Sequence, residues 1–220
     1  MIRVPKPSLE YADARVERAK QHLIHLKRRH AIFWNRPIKE ILSDPRIPPL
    51  FSILVGEIIY NQRAALDYLV FELAILDSRR IQKYTQFPIE DWPEEAAAQN
   101  KLKKCWAPEG KHPMLRGISV SHKAILRQFQ PFEGCNWTRE LRELSNPDKH
   151  RRTWEVFWQI DFSPDRPRRK AKRSRSKPSM NMQDMFAGQI LFEDRSPVIE
   201  TLQVFQREVP AVLDMFRREF

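Results

Sequence analysis

One stretch limits what this chain can fold into more than any other. Leu50 to Asp77, LFSILVGEIIYNQRAALDYLVFELAILD, is apolar on nearly every side. At 100° per residue, Ile58, Ala65, Leu66, Leu69, Leu73 and Leu76 fill one broad arc, and Ile59, Tyr60, Val70, Phe71 and Ala74 fill most of the other. Glu57, Asn61 and Glu72 form a narrow polar edge. A helix that is apolar nearly all round is a central helix with neighbours on most faces. Arg63 and Asp67 fall inside the second apolar arc, four residues apart, so each is the other's nearest partner. A charge embedded in such a face needs one, because a lone buried charge is very costly.

Residues 8–35 supply a neighbour. Leu9, Ala12, Val16, Ala19, Leu23, Leu26, His30 and Phe33 recur at spacings of three and four without a break, which makes a continuous helical seam. His30, on that seam, reads as a core histidine bonded to a carbonyl. Between the two helices Pro37, Pro45, Pro48 and Pro49 interrupt helix repeatedly. Two long helices joined by a short break form the core of a bundle when they lie antiparallel.

Downstream the elements shorten. Gln86-Phe87-Pro88-Ile89 reads as an extended piece, and Asp91 as the cap of a short helix over 92–103. Ser119 or Ser121 opens another short helix that ends before Pro131, and Asn136 opens one through Leu144. Asn146-Pro147-Asp148 is a well-formed helix start. Trp154, Val156, Trp158, Ile160 and Phe162 alternate with polar residues as a strand, and 187–192 is a second strand. The expectation is an antiparallel ribbon whose strands, 154–162 and 187–192, are joined by a disordered basic loop, 163–186. Ser196-Pro197 starts a last helix, 196–220, with Pro210 expected to kink it. The fold class expected is mainly α: a single domain with a helical core over 8–152, a small antiparallel β-ribbon and a C-terminal helix.

Charge is unevenly spread. Arg166, Arg168, Arg169, Lys170, Lys172, Arg173, Arg175 and Lys177 contribute eight of the eleven net positive charges, so the basic character is mostly local. Such a run attracts phosphate backbones by counterion release, which suggests RNA or DNA as a partner through the loop. Five glycines argue against a glycine-rich nucleotide-binding fold. No apolar run reaches the roughly 18 residues of a membrane span, so no membrane partner is expected. Met1-Ile-Arg-Val-Pro leads into polar sequence without a signal peptide, and Cys105 and Cys135 lack metal-ligand spacing. A reducing cytoplasm is the simplest location. No metal or other cofactor is implied.

Four signatures occur in order: Leu54-Val55-Gly56-Glu57 running into Asn61-Gln62-Arg63-Ala64-Ala65-Leu66-Asp67, then Gln86-Phe87-Pro88-Ile89, then Gln130-Pro131-Phe132, then Asn146-Pro147-Asp148-Lys149-His150-Arg151. Over roughly residues 50–162 the chain thereby resembles a family of helical proteins from soil bacteria with no assigned activity. Those proteins often carry histidine where this chain has Tyr60. It is more distantly similar to the HEPN helical domains, bundles found in toxins and phage-defence ribonucleases. Their metal-independent nucleases use an arginine followed by a histidine on one helix, with four to six residues between them. His150 lacks such an arginine, whereas Arg18 precedes His25 by six intervening residues. That similarity implies endoribonuclease activity as one expectation.

The residues themselves suggest one constellation: Asn61, Arg63 and Asp67 from the central helix with Lys149, His150 and Arg151. In a ribonuclease His150 would act as general base or acid, oriented by Asp67, while Arg63 stabilises charge on phosphate. Asn61, Lys149 and Arg151, with Arg168, Arg169, Lys170, Lys172 and Arg173 of the loop, would bind. An internal ion-pair network is the structural alternative, and the absence of a recognised catalytic motif favours it. Three functions therefore follow from the sequence: a noncatalytic nucleic-acid-associated or interaction module, a HEPN-like metal-independent endoribonuclease, and a scaffold that forms a homodimer through the long first helix.

Overall fold

The computed structural model describes residues 4–44, 46–91, 113–145, 157–162 and 186–220. Six α-helices and a two-stranded ribbon are described. Helix α1 is Glu10–Trp34, α2 Ile38–Ser43, α3 Pro49–Ser78, α4 Val120–Arg127, α5 Asn136–Ser145 and α6 Val198–Phe216, with strands β1 Phe157–Phe162 and β2 Phe186–Leu191. The fold is mainly α. Among the described residues no helix is long and apolar enough to cross a membrane.

Local sequence accounts for the ends of the long helices. Ser8 Oγ accepts from the Glu10 N–H, and Glu10 and Asp13 place negative charge in the first turn of α1. Pro49 occupies the first turn of α3, where its missing N–H costs nothing. Arg79 ends α3 in a left-handed conformation, φ 56°, its N–H returning to the Ile75 carbonyl. The break after α1 is not wholly irregular, because Pro37 precedes one short helix, α2.

Helices α1 and α3 pack antiparallel. The Tyr11 ring stacks on Tyr68, Arg15 bonds Asn61, and Phe33 meets Phe51 edge-on. Every residue of the expected α1 seam is buried or half-buried, so the chain's own α3 and α6 use the seam that could have taken a second copy. Helix α6 covers Gln62, whose Nε2 donates to Gln206 Oε1 at 2.8 Å. Of the expected polar edge Glu57 is exposed, but Asn61 and Glu72 are buried, Asn61 against α1 and Glu72 accepting from the Ser8 N–H at 3.1 Å. Burial raises the Glu72 carboxyl above its ordinary pKa, against that hydrogen bond.

The strands pair antiparallel, Phe157 opposite Leu191 and Phe162 opposite Phe186. The ribbon is fastened to the end of α1. A Cβ on Gly188 would lie 2.1 Å from the Trp34 ring, so the indole packs directly on the glycine backbone. His30 packs at the same end of α1, its ring meeting that of Trp34 edge-on with centres 6.1 Å apart. In α6, Ser196 does not cap the helix as expected; its N–H and hydroxyl both go to Asp194 Oδ1, and the helix continues through Pro210. The expected helix over 92–103, the start at Asn146 and the basic run lie outside the described residues.

Candidate nucleic-acid interface

Helix α3 carries Asn61, Arg63 and Asp67, and the structure separates their roles. Arg63 and Asp67 pair at 3.3 Å and together grip the main chain of Phe87. The Phe87 N–H donates to Asp67 Oδ1 at 2.9 Å, and Arg63 Nη2 donates to the Phe87 carbonyl. The two side chains thus do for Phe87 what a neighbouring strand would do. The rest of the extended segment is held in the same manner. Gln86 N–H donates to the Met114 carbonyl, Glu90 N–H to Gln130 Oε1, and Arg142 donates to the Ile89 carbonyl. Asp91 takes Arg142 at 2.7 Å and Arg139 at 3.0 Å from α5. Burial pushes the Asp91 carboxyl up, but these two arginines outweigh it and hold it below the usual carboxylate range. Three of the four signatures therefore meet in one assembly: an extended peptide fastened by side chains from α3, α5 and the turn after α4.

Beside this clamp α3 opens a pocket of about 650 Å³. Gly56 and Ala64 leave the space, Tyr60, Tyr68 and Phe71 supply aromatic walls, Arg63 and Asp67 also line it, and Leu144 and Ser145 of α5 form its far side. Arg63 brings strong unmet bonding capacity. Its Nη1 is buried and, among the described residues, has no hydrogen-bond partner. Burial lowers the Arg63 pKa from its ordinary value, with Asp67 opposing.

Asn61 faces away from that pocket. It lies buried against α1, its Oδ1 accepting from Arg15 Nη1 at 3.2 Å and its Nδ2 donating to the Glu57 carbonyl at 2.7 Å. Its role is to position Arg15. The Arg15 guanidinium stands 5.5 Å from the centre of the Tyr60 ring and 5.8 Å from that of Tyr68. Tyr11 extends the group, its ring centred 5.8 Å from Tyr68 at an interplanar angle of 22°. Tyr60 itself is 58% exposed.

No family model, curated protein or solved structure matches the chain. The site is therefore read from its own geometry. Of the residues expected there, Arg63 and Asp67 come together, while Asn61 bonds Arg15 and the Glu57 carbonyl instead. Lys149, His150, Arg151, Arg168, Arg169, Lys170, Lys172 and Arg173 lie outside the described residues. Sequence reasoning missed Arg15, Tyr11 and Tyr68. The spacing of aromatics at 60, 68 and 71 around Arg63 was the signal that could have found the α3 members.

A second polar cluster was also missed. His122 Nδ1 on α4 lies 2.8 Å from Asp77 Oδ2 at the end of α3, which also accepts from the Ser119 N–H. These partners are more than forty residues apart in sequence, and no local pattern links them. Among the described residues no group of three or more His, Cys, Asp or Glu side chains is placed to hold a metal ion.

Proposed function

We propose that the protein is a noncatalytic module that binds single-stranded nucleic acid, taking one unstacked base into the α3 pocket. The observation that carries this reading is the combination of Tyr60, Tyr68 and Phe71 with the Arg15 guanidinium held over two of those rings. Aromatic faces accept any base by stacking, and an arginine beside them suits the adjoining phosphate. The run Arg166–Lys177 would add attraction that does not depend on sequence. The test is fluorescence anisotropy of a labelled oligouridine at low salt. Tyr60→Ala should weaken binding about 5- to 150-fold, the effect of losing one stacked base at roughly 1–3 kcal/mol. Absence of binding by the wild type would end the proposal.

One observation favours a second reading, a metal-independent endoribonuclease. Ser145 lines the pocket, and His150 is the fifth residue after it, within about 17 Å of extended chain. There His150 would remove the 2′-hydroxyl proton for attack on the adjacent phosphorus, breaking the bond to the 5′-oxygen, which takes a proton from water to leave as a 5′-hydroxyl, with a 2′,3′-cyclic phosphate on the other product. Mapping of RNA ends separates the readings: cleavage by wild type, lost in His150→Ala with binding retained, makes it a nuclease. Self-association through α1 would have to use its outward face, where Ile24 and Ile32 are exposed.

A further inference from the structure

Helix α1 carries a second feature continuous with the pocket. Arg15, Arg18, His22, His25 and Arg29 recur at spacings of three, four, three and four, which places them in one row along the helix. At 1.5 Å per residue the row is about 21 Å long. It begins at Arg15, the guanidinium that lies over the pocket tyrosines, and Tyr11 precedes it on the same face.

The row is set apart by its continuity with the pocket and by charges left open to a ligand. Some surface arginines meet carboxylates: Arg127 with Glu133, Arg139 and Arg142 with Asp91, Arg207 with Glu208, and Arg217 with Asp13 and Asp214. Others such as Arg28, Arg80 and Arg218 are exposed and form no ion pair among the described residues, but these do not adjoin the pocket tyrosines. Among the described residues Arg15, Arg18 and Arg29 form no ion pair. The acids of α1 are engaged away from them, Asp13 by Arg217 and Glu17 by Lys20. Arg29 Nε donates instead to His25 Nε2 at 3.2 Å, and His22 Nε2 is buried without a partner among the described residues. From α3 the carboxylate that faces the row is Glu57, opposite His22. Arg18 and Arg29 are exposed, and the other three are half-buried.

We infer that this row is the path of the polynucleotide backbone: when the pocket holds a base, the phosphates of the same single strand lie along Arg15, Arg18 and Arg29. This rests on the nucleic-acid reading of the pocket. An unpaired cationic row is common to sites for any polyanion. The aromatic cluster at its head favours nucleic acid over an anionic membrane or an acidic protein, because stacked rings next to an arginine engage bases. The row and the basic run at 166–177 lie far apart in sequence, so their two electrostatic contributions can be removed independently by substitution.

The experiment measures binding of labelled oligouridine and oligothymidine across a salt series with three proteins: wild type, Arg18→Gln with Arg29→Gln, and Lys20→Gln with Lys27→Gln. The last pair removes the same charge from the opposite flank of α1. Both double variants should melt like the wild type, since no buried contact is lost. Each single-strand phosphate contact contributes about 0.7 to the slope of log affinity against log salt, so the arginine variant should flatten it by about 1.4. The lysine variant should leave the slope nearly unchanged. Equal loss for oligouridine and oligothymidine is expected from a backbone contact, whereas loss confined to one of them would contradict it. If wild type binds and the two double variants behave alike, the row is not the path, although the pocket reading survives. If wild type binds neither strand, both fall. Binding to vesicles of anionic phospholipid with the same dependence on Arg18 and Arg29 would also overturn the inference.

Discussion

His122 and Asp77 tie three elements together through one 2.8 Å contact. Asp77 ends α3, His122 opens α4, and the His122 ring meets Phe216 of α6 edge-on with its centre 5.8 Å away. Its Nε2 stands 4.0 Å from Glu219 in the turn after α6. Asp77→Ala leaves both the Ser119 N–H and the imidazole without their acceptor in a largely enclosed place. The expected loss is on the order of 2–3 kcal/mol in urea unfolding. Asp77→Asn keeps one acceptor oxygen and should recover about half of it. A change within ~0.5 kcal/mol for the alanine variant would show that the contact holds nothing together.

The Arg63–Asp67 clamp gives a second expectation. Asp67→Ala removes the acceptor of the Phe87 N–H and leaves a buried guanidinium with the Phe87 carbonyl alone. The loss should be roughly 2–3 kcal/mol, and Asp67→Asn should lose less, because its amide oxygen can still accept from Phe87. Equal losses from the two substitutions would mean that the charge, not the hydrogen bond, is what matters.

How far the sequence revealed this depended on the distance over which each partner acts. The α1 seam and the extent of α3 are written in spacings of three and four, and both were legible nearly to the residue. The i, i+4 approach of Arg63 and Asp67 was legible for the same reason. That the pair would hold Phe87 was not, since twenty residues and a change of direction intervene. Asn61 and Glu72 looked like part of a polar edge because a helical wheel has no knowledge of the neighbours that bury them: Arg15 of α1 reaches Asn61 across 46 residues and the Ser8 N–H reaches Glu72 across 64. The pocket was hidden for another reason. It arises where Gly56 and Ala64 are small, and an apolar pattern counts both as core.

Acid should weaken the fold through two histidines. Burial lowers the His30 pKa below its ordinary 6.5, against the opposing effects of Glu200 and the Gly188 backbone. Burial likewise lowers that of His22, aided by Arg18 and His25 and opposed by Glu57. A histidine depressed in the folded state takes its proton more readily when unfolded, so stability rises with pH across this window. The contribution is whole above about pH 6.5 and is lost as pH falls below it toward the folded values. Urea midpoints at about pH 7.5 and about pH 5.5 should differ for wild type, and His30→Gln should narrow the gap. An unchanged gap would remove His30 from the account.

Gly188→Ala should be among the most damaging small changes in the chain. Its Cβ would meet the Trp34 ring at 2.1 Å, and neither the strand nor the indole has an easy route away. The expected cost is about 1–3 kcal/mol, with a shift in tryptophan fluorescence as the ring is displaced. A double variant that also carries Trp34→Leu should regain part of the loss, which would identify the collision as its cause.

The ribbon's register has a consequence for how this protein can vary. Phe162 faces Phe186 across the pair, so the chain leaves the folded body and returns to it at neighbouring points. The entropic cost of closing a loop grows only with the logarithm of its length, about 0.6 kcal/mol for each doubling. Changes of length or charge between those two phenylalanines should therefore cost the bundle little so long as Phe162 and Phe186 stay paired. Affinity for a polyanion and stability of the fold become separate variables, open to adjustment one without the other.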